Sequence, residues 1–150
     1  MITLYKWMLQ LFGCHKWVQK QPEGLQVRAA EFQNEFNTIG VSAAAIVLVV
    51  LVVISVALYY FWWSNGSSKI FKYRHRIHWW LMWLFSSSFI VSASTPITIS
   101  FLIGNFPNDN GALMAVSICN FLYAIILFIA LSIITSKCAS KLTNASCTPF

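Results

Sequence analysis

Residues Val41–Trp63 read VSAAAIVLVVLVVISVALYYFWW, twenty-three residues with no charge among them. The uncharged stretch is longer still, running from Phe36 to Ser68. A helix rises 1.5 Å per residue, so this run reaches roughly 34 Å, enough to cross a hydrocarbon core with some tilt. Its centre is almost pure Val, Ile, Leu and Ala, and it closes on Tyr59, Tyr60, Trp62 and Trp63. That is a membrane span ending in an interfacial aromatic cluster.

Two further spans follow from the same reasoning. The second opens on Trp79, Trp80 and Trp83 and covers residues 79–104; the third covers 112–135. The aromatic clusters of the first and second spans flank one short loop, which makes them a belt at a single interface. Between the second and third spans, Gly104–Gly111 (GNFPNDNG) is turn chemistry, with Asp109 or Asn110 available to cap the next helix. Residues 41–136 thus form a three-helix membrane domain. The expected fold class is an all-α integral membrane protein, with a flexible tail over 137–150.

The bulk numbers agree. The 150 residues are 58% hydrophobic and 9% charged, against about a quarter charged in an average soluble domain. Mean hydropathy is +0.67. Four acids and ten Lys/Arg cannot solvate a 17 kDa globule this apolar, so a soluble enzyme, a disordered tail and a secreted disulfide scaffold are excluded. Cys14, Cys119, Cys138 and Cys147 have neither C-x-x-C nor zinc-like spacing. Cys138 and Cys147 could pair in an oxidising compartment, but free thiols are expected.

Residues 1–40 form an amphipathic segment. Thr3, Lys6, Gln10, Gly13, Lys16 and Lys20 recur every three or four residues, which lines them up on one stripe of a helix over about 2–20. Ile2, Leu4, Tyr5, Trp7, Met8, Leu9, Leu11 and Phe12 fill the remaining circumference. So wide an apolar face suits either the membrane interface or packing on the protein's own spans or a partner. The first residues lack the basic start and small-residue site of a cleaved signal, so an uncleaved N-terminus is expected. After the break at Gln21-Pro22-Glu23-Gly24, Leu25, Ala29, Phe32 and Phe36 mark a second helix over about 25–37, with Asn37 or Thr38 as a local cap.

The net charge of +6 is an orientation signal. Lys69, Lys72, Arg74 and Arg76 in the first loop, with Lys137 and Lys141 in the tail, put six cations and no acid on one side. The other side carries Lys6, Lys16, Lys20 and Arg28 against four acids. Counting Lys/Arg alone gives six against four, which predicts N-out and C-in. The first-loop cluster reads as lipid-headgroup contact, and no nucleic-acid partner is needed to explain it. His75 and His78 stand within the same basic, interfacial stretch and read as part of it.

The most useful chemical sign is an absence. None of the three spans contains Asp, Glu, Lys, Arg or His, the usual marks of proton relays and ion-coupled transport. There is no phosphate loop, nucleophile set or metal-ligand pattern, so neither an enzyme nor a cofactor is expected. The polar content of the spans is hydroxyl. Ser87, Ser94 and Thr98 share one face of the second span, with Ser88, Ser92 and Thr95 about 100° round. Such an arc serves close helix packing or lines a pore. Pro96 leaves a backbone carbonyl that neighbouring hydroxyls can satisfy. In the third span Ser117, Asn120 and Ala124 form a small-polar seam, and Asn120 near mid-membrane needs a partner, for which the hydroxyl arc is the natural source.

Length, hydropathy, the basic loop and the uncharged membrane interior together resemble small bacterial inner-membrane exclusion and immunity proteins. Examples are the exclusion protein of F-like conjugative plasmids and the immunity proteins against pore-forming colicins. The resemblance transfers no functional residue. It implies a non-enzymatic protein of the bacterial cytoplasmic membrane that recognises another membrane-associated protein, using residues 1–40 and the second loop. The competing expectations are an oligomeric, holin-like pore and an accessory subunit of a larger membrane complex. Membrane lipids and a second copy of the chain are further expected partners.

Overall fold

A computed structural model of the chain describes residues 2–11, 18–63, 76–104 and 110–139. Every regular element among the described residues is helical. We label them α1 (Ile2–Leu11), α2 (Glu23–Glu35), α3 (Val41–Ala57), α4 (Arg76–Ile103) and α5 (Asn110–Ala139). A short 3₁₀ turn, Val18–Lys20, precedes α2.

Three helices are long and apolar enough to cross a membrane: Glu23–Phe61, His78–Ile103 and Asn110–Thr135. The first is one uninterrupted rod of 39 residues, about 58 Å long at the usual helical rise. It runs from α2 through a π-helical turn, Phe36–Gly40, into α3, and then through a second π-helical turn, Leu58–Trp63. This corrects the expected break at residue 37 or 38. A capping residue must leave helical φ/ψ, whereas Glu35, Phe36, Gly40 and Val41 all keep right-handed helical angles. Thr38 turns its hydroxyl back to Asn34 and Glu35 carbonyls at 2.9 and 3.2 Å, and Ser42 does the same to Thr38 at 2.9 Å. The Thr38 hydroxyl, expected as a cap, is bonded inside the helix.

The real start of α2 is Pro22, with φ −53° and ψ 145°. Its carbonyl accepts from Leu25 N–H at 2.8 Å. Gly24, expected to help break the chain, lies inside α2. The described part of the N-terminal helix ends at Leu11, short of the expected reach to residue 20; Gly13 and Lys16 lie outside the described residues. At the far end of α4 the chain does turn on a glycine. Gly104 has φ +76°, a conformation that costs a side-chain-bearing residue strain, and its N–H closes on Ser100 carbonyl at 3.2 Å. Asp109 and residues 140–150 of the tail lie outside the described residues, while residues 137–139 still belong to α5.

Packing follows narrow stripes. On α3 the buried positions are Ala44, Leu48, Val52 and Val56, a stride of four. On α4 they include Trp80, Leu84, Ser88, Val91, Thr95, Ile99 and Ile103, and on α5 Val116, Asn120, Ala124, Phe128 and Ser132. Two clusters result. One gathers Tyr5, Phe32, Phe36, Ile99, Ile103, Val116 and Cys119; the other gathers Val52, Tyr59, Tyr60, Trp80, Leu84 and Phe128. Small residues let the backbones approach: a Cβ on Gly40 would stand 3.2 Å from Phe36 Cδ2 and 3.5 Å from Ile103 Cδ1.

Outside the stripes the surface is apolar. Ile46, Val50, Val53, Phe85, Phe89, Ile97, Phe101 and Ile126 are all exposed. Soluble monomers rarely expose apolar surface on that scale, whereas helices able to span a bilayer are expected to. Of the aromatic residues at the ends of the first two apolar helices, Tyr59, Tyr60 and Trp80 are buried, with Tyr59 and Tyr60 rings 5.1 Å apart and edge-on. Rings with a polar handle find partners inside the bundle as readily as at an interface.

Candidate functional site

The densest polar constellation centres on Asn120 of α5, whose side chain is fully buried. Its Nδ2 donates to Thr95 Oγ1 of α4 at 2.7 Å and to Ala44 carbonyl of α3 at 3.1 Å. Its Oδ1 accepts from the Tyr5 hydroxyl of α1. Thr95 in turn donates to Val91 carbonyl at 2.7 Å. One amide therefore ties four helices together with both donors and its acceptor engaged. Among the described residues no buried side-chain nitrogen or oxygen lacks a partner, as buried polar networks require.

Tyr5 reaches this point because α1 lies along α5 and buries the i, i+4 pair Tyr5 and Leu9. The Tyr5 ring packs on Tyr123 at 5.7 Å. Burial pushes the Tyr5 phenol well above its ordinary range, so it remains a neutral donor. Trp7 and Leu11 of the same helix stay exposed. The bundle takes one edge of the apolar face and leaves the other uncovered.

The hydroxyl arc of α4 points into the bundle. Ser88 and Thr95 are fully buried, Ser87 nearly so, and Ser92, Ser94 and Thr98 partly. Most of these hydroxyls bond to carbonyls of their own helix: Ser87 and Ser88 to Leu84 at 3.0 and 2.8 Å, Ser94 to Val91 at 3.0 Å, and Thr98 to Ser94 at 2.9 Å. Ser92 instead crosses to Ser117 carbonyl of α5 at 3.0 Å, while Ser117 Oγ bonds to Leu113 at 2.8 Å. The carbonyl freed by Pro96 is that of Ser92, and the hydroxyl bonds just described all go elsewhere. Within one chain the arc's hydroxyls are thus committed to helix contacts.

At the opposite end of the bundle the contacts are aromatic. Trp83 Nε1 donates to both the hydroxyl and the carbonyl of Ser55, at 2.9 and 3.1 Å. Trp80 Nε1 and the Tyr60 hydroxyl both approach Ser132, each at a long 3.4 Å. Trp80 also packs edge-on against Phe128 at 5.8 Å. Between α3 and α4 an open groove of about 440 Å³ remains, walled by Leu51, Ile54 and Leu58 on one side and Trp79, Met82, Trp83, Ser86, Ser87 and Ile90 on the other.

Sequence reasoning singled out Asn120 and the hydroxyl arc, and the structure brings Asn120 and Thr95 together. It missed Tyr5, Ser55 and Ser132. A tyrosine on an otherwise apolar face, and lone serines within apolar runs, were the available signals, since each carries a polar group that burial obliges to pair. Of the basic loop residues, Lys69, Lys72 and Arg74 lie outside the described residues, and Arg76 opens α4. His75 and Cys14 also lie outside them, whereas His78 is exposed and Cys119 is a buried free thiol. No group of His, Cys, Asp or Glu able to hold a metal occurs among the described residues. Comparison with protein-family models, with curated proteins and with solved structures finds no match.

Proposed function

We propose that this chain is a non-enzymatic protein of a bacterial cytoplasmic membrane that recognises another membrane-associated protein, as exclusion and immunity proteins do. The observation that supports the reading is the uninterrupted rod Glu23–Phe61. Its apolar part continues as α3 without a joint, and its polar part, α2, extends beyond the uncharged run with Glu23, Arg28 and Glu31 exposed beside Val27, itself 69% exposed. A binding surface carried on a rod anchored in three packed helices is held in fixed orientation, which lowers the ordering cost of docking. The polar node and the hydroxyl arc then serve as scaffold. The cation count favours an N-out, C-in orientation, placing α2 on the outer face.

The test is protection of a cell. Expressed in a sensitive bacterium, the chain should block either DNA transfer by one class of conjugative donor or killing by one pore-forming toxin. Exchange of Val27→Asp, Arg28→Glu and Glu31→Lys together should abolish protection while the protein stays in the carbonate-washed membrane fraction. No protection across both panels, or protection untouched by those exchanges, would defeat the proposal. Labelling of a cysteine placed at position 27, from outside intact cells, tests the orientation.

A further inference from the structure

The polar node marks a depth. In helical rise, Ala44 stands roughly 12 Å past Phe36, where the uncharged run of the first apolar helix begins, and Thr95 roughly 12 Å before Ile103, where α4 ends. Asn120 stands roughly 15 Å past Asn110, the start of α5. These three helix ends share one cluster, through Phe36, Ile103, Ala112 and Leu113. The apolar stretches themselves, from Phe36 to Phe61, His78 to Ile103 and Asn110 to Thr135, are each roughly 38 Å long. The node therefore lies about 4–7 Å from the middle of all three. Tyr5 hydrogen-bonds to Asn120 at that level, and its ring packs on Tyr123, at the middle of the third stretch.

A helix lying in the interface would hold Tyr5 at the edge of the hydrocarbon core, about 15 Å from its middle. The bond to Asn120 holds it far deeper. α1 packs along α5 and buries Tyr5 and Leu9. Trp7 and Leu11 each follow by two positions, about 200° round the helix, and are 55% and 61% exposed. Met114, Ile118 and Leu122 of α5 are exposed over the same range of depth, so Trp7 and Leu11 continue an apolar surface that the spanning reading gives to lipid. We propose that α1 is a fourth membrane-embedded helix, seated near mid-depth on α5, with its Trp7–Leu11 face in contact with lipid acyl chains. A second copy of the chain and a water-filled cleft are the competing surroundings of that face. Lys6 is the one charged residue of α1. A helix seated by its bond to Asn120, rather than by an interfacial lysine, keeps its depth when that charge is removed.

The seat of α1 rests on the three helices crossing a bilayer, and one experiment reports on both. The full chain, with its four native cysteines changed to serine, receives Trp7→Cys, Leu11→Cys, Val27→Cys or Ile126→Cys for a nitroxide label. All four positions are exposed, so the labels leave the packed stripes intact. Each protein is placed in vesicles of phosphatidylglycerol and phosphatidylcholine, and collisions are measured by power saturation. Labels at 7, 11 and 126 should be several-fold more accessible to oxygen, which concentrates in hydrocarbon, than to a water-soluble nickel chelate. The label at 27 should show the reverse. Adding Lys6→Leu should leave the readings at 7 and 11 unchanged. Nickel access at 7 and 11 beside oxygen access at 126 overturns the proposal, as does oxygen access gained only with Lys6→Leu. Spin–spin broadening between labels at 7 on different chains assigns the face to a second copy and overturns it too. A label at 126 that favours nickel brings down the spanning reading itself, and the seat of α1 with it.

Discussion

The two ends of the bundle solve the same problem differently. Around Asn120, three hydrogen bonds from one amide draw α1, α3, α4 and α5 onto a single point, and the cluster there is closed. Around Trp83 the contacts are aromatic: the indole reaches Ser55, and a groove stays open beside it. Rings pack at both ends, Tyr5, Phe32 and Phe36 at the first, but only there do polar groups from four helices converge on one buried amide. Between helices able to span a membrane, such hydrogen bonds and close packing are expected to carry much of the association.

The sharpest way to break the contrast is Asn120→Leu. It removes every hydrogen bond that makes the closed end special and strands the Tyr5 hydroxyl, and we expect a loss of about 2 kcal/mol in stability. Thermal unfolding in detergent, followed by circular dichroism, measures it. An unchanged midpoint would mean that apolar packing alone closes that end.

Tyr5→Phe is milder, at about 1 kcal/mol, because only the bond from α1 is lost. Its readout is specific: Cys119, buried in the same cluster, should react faster with maleimide once Cys14, Cys138 and Cys147 are serine. Alkali should act through the same group. Burial raises the phenol's pKa in the docked state, so docking is at full strength below the ordinary tyrosine value near 10 and weakens as pH rises past it. Spin labels on α1 and α5 should separate at high pH in the unaltered chain, and Tyr5→Phe should lack that transition.

At the open end, Trp83→Phe should cost about 1 kcal/mol or less and let α3 and α4 move apart near the groove, visible as faster hydrogen exchange around Ser55. Smallest is Ser92→Ala, which removes a single crossing to Ser117, at about 0.6 kcal/mol.

These outcomes bear on how much of the molecule its sequence discloses. The three apolar helices are legible because each is a long uncharged run, a signal that no local alternative mimics. Asn120 is legible because an amide in such a run must pair. The continuity through Phe36–Gly40 is not, because Asn37, Thr38 and Gly40 suit a cap and a helix interior alike, and only the backbone angles decide. The depth of Tyr5 is hidden for another reason. Its partner lies 115 residues away, and nothing in the spacing of α1 distinguishes an edge that meets protein from one left uncovered. The inward turn of Tyr59, Tyr60 and Trp80 is obscured in the same way.

The Tyr5–Asn120 bond also sets a timetable. A chain is made from its N-terminus at roughly 5–20 residues per second, so the first helix waits roughly 6 to 23 s for the residue that will receive it. During that interval Tyr5 and Leu9 have no protein surface to bury against, and the broad apolar face of α1 can rest on the bilayer. Tyr5 can dock only once Asn120 has been made, on an amide that also bonds to Ala44 and Thr95 in the folded chain. A docked α1 thus requires a chain made at least as far as α5.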